Sequence, residues 1–172
     1  MVENSSVKQP CRYTNKPFPE YRYIPGETPH PTRDPKGHSY NKSVKELPDF
    51  NPKEWSICKE YLFGIDLFNF SYWWEAHEVL EAVWVAAGRN TDTGLFVQGL
   101  IQISAAHLKG WQGYHATARK LSLSGLSKMK DNNGKRLGID ISKLRSNIEE
   151  YLSGNCATPV IIELDIASNN SD

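Results

Sequence analysis

Residues Tyr72–Trp84 read Y-W-W-E-A-H-E-V-L-E-A-V-W. One histidine and three glutamates stand among four large aromatics, with no glycine or proline to interrupt a helix. At roughly 100° per residue, Trp74, His77, Glu78 and Glu81 share one helical face, with Trp84 near its edge. A surface helix does not need these aromatics, and an ordinary core helix does not tolerate these acids. A polar cluster inside an apolar rim is the pattern of a binding or catalytic pocket. Glu75 lies about 160° from His77 on the same wheel. It is read as solvated or structural, or as an acid near the helix N-terminus that suits the macrodipole.

Further helices are predicted on either side of this one. Asn51-Pro52-x-Glu54 reads as a cap, a first-turn proline and a first-turn acid, opening a helix that runs through Trp55, Cys58, Leu62 and Ile65 to about Phe68. Asn69-Phe70-Ser71 breaks it, with Ser71 capping the next helix. Gly88–Asp92 closes that helix and caps a third, Gly94 to about Lys109, which carries Gln98 and Gln102 one turn apart. Buried glutamines need partners, and these could orient the acids of the preceding helix. Gly99, Ala105 and Ala106 would allow the two helices to approach closely. His107, on the opposite side from Gln98, is read as a surface histidine. A fourth helix covers about Tyr114–Lys130 and ends at Asp131–Gly134. Asp140 caps a fifth, in which Ile141, Leu144, Ile148, Tyr151 and Leu152 keep helical spacing. No strand alternation of any length is visible.

Residues 1–50 differ in kind, holding eight of the ten prolines. That density excludes helices and favours extended chain. The first 20 or so residues are open to disorder, while the aromatics of Tyr21–Tyr40 call for packing on the helical body. The expected organisation is a proline-rich arm (1–50), a helical bundle domain (51–154) and a C-terminal tail (155–172). The fold class is all-α: a compact bundle of about five helices with the extended arm packed on it.

The 172 residues carry twenty basic and twenty acidic side chains. This balance argues against a dedicated nucleic-acid or membrane-surface protein. The basic stretch from Arg119 to Arg136 is read first as a solvated face, with RNA binding a weaker reading. Cys11, Cys58 and Cys156 are odd in number and widely spaced, which fits reduced thiols. No apolar run reaches membrane-span length, and the N-terminus lacks the pattern of a signal peptide. A cytoplasmic location is expected.

His77-Glu78-x-x-Glu81 parallels the zinc-protease motif H-E-x-x-H, with a glutamate in place of the second histidine. Positions i and i+4 can share a divalent ion, and a His/Glu pair suits Zn, Mn or Fe. The competing reading makes these residues buried hydrogen-bond or ion-pair partners of arginines such as Arg22 or Arg33. In the arm, His30, Arg33, Asp34 and His38 are held on chain stiffened by Pro25, Pro29, Pro31 and Pro35. Laid over the His77 helix, His30 and His38 would complete a metal set. A strap that only covers an apolar groove is the plainer alternative.

The motifs E-A-H-E-V-L-E-A-V-W (Glu75–Trp84) and V-Q-G-L-I-Q-I-S-A-A-H (Val97–His107) resemble a small bacterial and archaeal helical family, domain of unknown function three hundred and nine. The resemblance covers about Tyr61 to Leu152, with the arm similar to an extension carried by some members. Gly110–Gly113 resembles the family's turn before the fourth helix. The resemblance implies a compact bundle and a shared pocket near His77, Glu78, Glu81, Gln98 and Gln102. It supplies no activity.

Two functions compete. One is a metal-dependent hydrolase with His77, Glu81, His30 and His38 as candidate ligands. Glu78 would be its general base, and Trp74, Trp84, Gln98, Gln102 and Arg33 would line the pocket. The other is a non-catalytic interaction or small-ligand-binding module in which these polar residues are structural. The expected partner is a small molecule or metal ion, and self-association is left open.

Overall fold

The computed structural model describes residues 9–42, 46–130, 134–154 and 158–166. Asp131–Asn133 and Cys156, for which turn and thiol readings were made, lie outside these residues. Five α-helices follow one another: α1 (Lys59–Asn69), α2 (Trp73–Ala86), α3 (Asp92–Trp111), α4 (His115–Lys128) and α5 (Ile141–Leu152). α3 is the central helix, packed between α2 and α4, and α1 lies against α2. The all-α class and the docked arm are as the sequence leads one to expect.

The first helix departs from expectation. Asn51 does accept a hydrogen bond from the Lys53 N–H (3.0 Å), but what it caps is a 3-10 turn, Pro52–Ile57. Glu54 leaves helical geometry inside that turn and Cys58 is extended, so α1 starts afresh at Lys59. Trp55 accounts for the interruption. It is buried, and its ring lies where a Cβ on Gly138 would sit. That contact belongs to a tight hairpin of two two-residue strands, β1 (Lys135–Arg136) and β2 (Ile139–Asp140). Leu137 and Gly138 both take positive φ at its tip, as a type I′ turn requires. Strands this short leave no alternation to read in a sequence.

Ser71 is not the cap of α2. It adopts φ 67° and its N–H bonds the Phe68 carbonyl (3.1 Å), so it reverses the chain after α1. Thr91 and Asp140 do cap, accepting from the N–H groups of Gly94 and Lys143 (both 3.0 Å).

α1 is buried over Tyr61–Asn69 because other elements cover it on every side. Asn69 clamps the C-terminal tail through both its amide atoms, donating to the Ile162 carbonyl and accepting from the Ile162 N–H (2.8 Å each). Val160 and Ile162 are thereby buried. On the other side the arm docks well before Tyr21. Asp66, fully buried, accepts from Tyr13 N–H (2.7 Å), Thr14 N–H (2.9 Å) and the Thr14 hydroxyl (2.6 Å). Phe18 stacks on Tyr72 with ring centroids 5.0 Å apart.

Close helix approach occurs between α3 and α4 at Gly99 and Gly125. A Cβ on either would stand 2.7 Å from the carbonyl oxygen of the other. The sequence expectation had Gly99 serving the α2–α3 contact instead. Gly99→Ala is expected to cost roughly 1–3 kcal/mol by forcing the helices apart. Urea denaturation checks this, and an unchanged midpoint would show that α4 shifts freely.

Candidate functional site

α2 turns Trp73, Ala76, Leu80 and Val83 into the core. The arm covers the rest of its N-terminal half. This double cover decides the role of Glu75, which is 5% exposed and so is not solvated. Its Oε1 accepts from the Tyr23 N–H (2.8 Å) and lies 3.0 Å from His38 Nε2. With Nε2–H donating to the carboxylate, the other ring nitrogen, Nδ1, lies 2.9 Å from the Ser39 hydroxyl. Two donors thus serve Oε1, while Oε2 is buried with no hydrogen-bond partner among the described residues.

The predicted residues divide into three places. His38 and Glu78 line a cleft of about 460 Å³ between arm and bundle. Lys16, Glu20, Lys42, Phe63 and Glu75 also line it. Glu78 is half-buried, and no hydrogen bond or ion pair holds it among the described residues. Burial pushes its carboxyl above the usual range. The nearby Glu75 and Glu81 charges add to this, while His77 and His30 oppose it.

Trp74, His77, Glu81 and His30 lie on the adjoining side. The Trp74 ring is 5.3 Å from His77, 5.5 Å from His30 and 5.0 Å from Tyr23. His77 Nε2 lies 3.6 Å from Glu81 Oε1, and Glu81 is half-exposed. His30 Nδ1 accepts the backbone N–H groups of Thr32 and Arg33 (both 3.3 Å), which leaves Nε2 as its open atom. The Arg33 side chain is exposed. Trp74 Nε1 and His77 Nδ1 are buried with no partner among the described residues.

The third place lies away from the cleft. Trp84 donates through Nε1 to the Arg89 carbonyl (3.2 Å), and the Arg89 guanidinium covers its ring at 5.3 Å. It therefore secures the loop after α2. Gln98 is half-buried. Gln102 turns towards α4, since a Cβ on Gly125 would touch it at 3.4 Å. Its Oε1 is buried with no partner among the described residues.

The four candidate metal ligands do not converge. His38 is engaged by Glu75 and Ser39, on the cleft side. Among the described residues, no group of three or more His, Cys, Asp or Glu side chains is placed to hold a metal ion. Two site features escaped sequence reasoning. The helical wheel put Glu75 opposite His77, and that angle is right, but the arm wraps both faces. Asp66 gave no signal, because a single acid within an apolar helix has many uses.

His107 is fully buried, not on the surface. Nδ1 donates to the Ile103 carbonyl (2.9 Å), and Nε2 accepts from the Val160 N–H (3.3 Å). Its ring stacks on Tyr151, with centroids 4.9 Å apart. In the basic stretch, Lys130 pairs with Asp92 and Lys135 with Asp165, which partly neutralises that face.

No helix among the described residues is long and apolar enough to cross a membrane. No curated protein matches the sequence. Residues 61–121 match the model of the family described as Domain of unknown function (DUF309). The match spans α1, α2, α3 and the start of α4, ending short of Leu152. It includes Glu75, His77, Glu78 and Glu81, while the arm with His30 and His38 lies outside it. Residues 61–121 are thus similar to the DUF309 family, in keeping with the paired motifs of α2 and α3.

Proposed function

We propose that the cleft between arm and α2 binds a small polar molecule, with Glu78 as the group that hydrogen-bonds it and exchanges a proton with it. The observation that carries this reading is an unpaired, half-buried carboxyl with a raised pKa on a cleft wall. Desolvating a carboxylate without a partner is unfavourable for folding, so a ligand is the natural complement. The neighbouring acids have other work. Glu75 and Asp66 hold the arm in place, so here they are structural. Reduced Cys11 and Cys58 in a cytoplasmic setting accompany this reading.

Stability measurements separate the two kinds of acid. Folding raises the Glu78 pKa, so its ionisation above the unfolded value opposes folding at neutral pH and is without effect well below that value. Glu78→Gln should therefore keep or slightly raise the neutral-pH melting temperature while removing ligand binding. Glu75→Gln should lower it by loosening the His38 and Tyr23 contacts. A small-molecule library screened by thermal shift on both proteins tests this. Hits that survive Glu78→Gln unchanged would place the site elsewhere.

A second reading is favoured by the 3.6 Å approach of His77 to Glu81. These two would share a Zn, Mn or Fe ion whose remaining positions water fills, with His30 as a further ligand only if the arm shifts, and with Glu78 as base for hydrolysis of a small substrate. Metal binding to the native state raises the melting temperature, the stabilisation growing with the logarithm of free metal once the site is filled. Titration of the three ions, followed by a chelator, decides it, and a flat response removes the metal.

A further inference from the structure

We infer that the ligand of the α2–arm cleft is an organic cation bearing a primary ammonium group. This rests on the cleft reading above and specifies its chemistry. Glu75 supplies the first observation. Its side chain is 5% exposed, Oε1 takes both available donors, and Oε2 is bare on a cleft-lining residue. The complement of a bare carboxylate oxygen is an N–H or O–H donor, and a charged donor roughly doubles the strength of the bond.

The second observation is Glu78, unpaired on the same wall and pushed towards its neutral form partly by the charges of Glu75 and Glu81. A cation placed there relieves that repulsion, whereas an anion adds to it. The third is the behaviour of the chain's own cations. The Lys16 ammonium does not pair with these carboxylates; it sits over the Phe63 ring, 4.3 Å from the centroid. Lys42 donates to the His38 carbonyl (2.6 Å). The aromatic wall therefore already accepts an ammonium on the cleft that the unpaired Glu78 and the half-satisfied Glu75 line, and Phe18 continues that wall. A ligand ammonium meets Glu78, with the charge of the buried Glu75 carboxylate behind it, and its apolar body lies on Phe18 and Phe63.

The test uses three probes of one shape: benzylammonium, benzyl alcohol and benzoate, titrated into the full chain by calorimetry. Benzylammonium alone is expected to bind saturably. Glu78→Gln should weaken it about tenfold or more, while Glu149→Gln, the same charge change on exposed α5, should leave it unchanged. Lys16→Met removes the internal competitor and should tighten binding. Because Glu78 has no partner to lose, its substitution leaves the fold intact, and a melting curve verifies this. Equal or stronger binding of the alcohol or of benzoate, lost in Glu78→Gln, overturns the cationic assignment and leaves the cleft as the site. Equal loss of benzylammonium binding in Glu149→Gln reveals surface attraction only and also overturns it. Absence of binding by all three at millimolar concentration overturns it as well, and the library screen then decides the site itself.

Discussion

Asp66→Ala is expected to lower the unfolding free energy by about 3–5 kcal/mol, the range for removing one partner of a buried charged cluster. Asp66 has no exposed surface. Three hydrogen bonds from Tyr13 and Thr14 converge on it, and Arg12 Nε approaches at 3.5 Å. Alanine leaves two part-buried backbone N–H groups and a hydroxyl without their acceptor. The Arg12 guanidinium, 4.0 Å from the Phe18 ring centroid, loses its charge partner. The arm should then detach from its N-terminal end inward. Urea denaturation measures the loss, and limited trypsin digestion at Arg12 and Lys16 reports the detachment. Asp66→Asn keeps one acceptor and should lose less. An alanine variant whose arm still resists trypsin would mean that Phe18 and the proline segment hold the arm without the carboxylate.

A pH titration of stability should show the second large effect. Burial pushes the His107 pKa down from 6.5 to about 4, against the opposing influence of its bond to the Ile103 carbonyl. Between those values the unfolded chain binds a proton that the native protein refuses. Native stability is therefore full above about pH 6.5 and falls as the pH drops towards 4. At about 1.4 kcal/mol per pH unit, the His107 contribution to that fall is about 3 kcal/mol. Protonation would also remove the Nε2 lone pair that accepts the Val160 N–H, so the tail should loosen in the same range. His107→Gln is less stable at pH 7 but should lose this component of the slope. The difference between the wild-type and variant curves, recorded from pH 8 to 4, isolates it from the carboxylates. Parallel curves would show that water reaches the ring.

These two residues also mark the limit of what could be read. The all-α class was legible because helical spacing and caps agree locally: Thr91 and Asp140 lie where an apolar run begins, and the runs have the period of a buried face. The α2 stretch stood out from the other helices, since acids among tryptophans conflict with both a surface and a core helix. Ser71 misled because a left-handed reversal and a cap favour the same residue type. His107 misled because one turn of α3 says nothing about α5 and the tail, which close over it from 40 to 60 residues away.

The sequence by itself determined most of the helical segments and that His77, Glu78 and Glu81 are neighbours on one helix, because both follow from contacts within one or two turns. Only the tertiary structure decided which carboxylates are used up and which is free. Glu75 looked dispensable on the wheel, yet it meets His38 from 37 residues away and becomes the clasp of the arm. Glu78, one turn on, is left facing the cleft. That division depends on where a proline-stiffened strap crosses α2, and the crossing is set by the anchoring of Tyr13 and Thr14 on Asp66 in another helix. Burial and hydrogen-bond partnership are properties of distant segments brought together, so the polar stripe of α2 could not show which of its acids is left without a partner on the cleft wall.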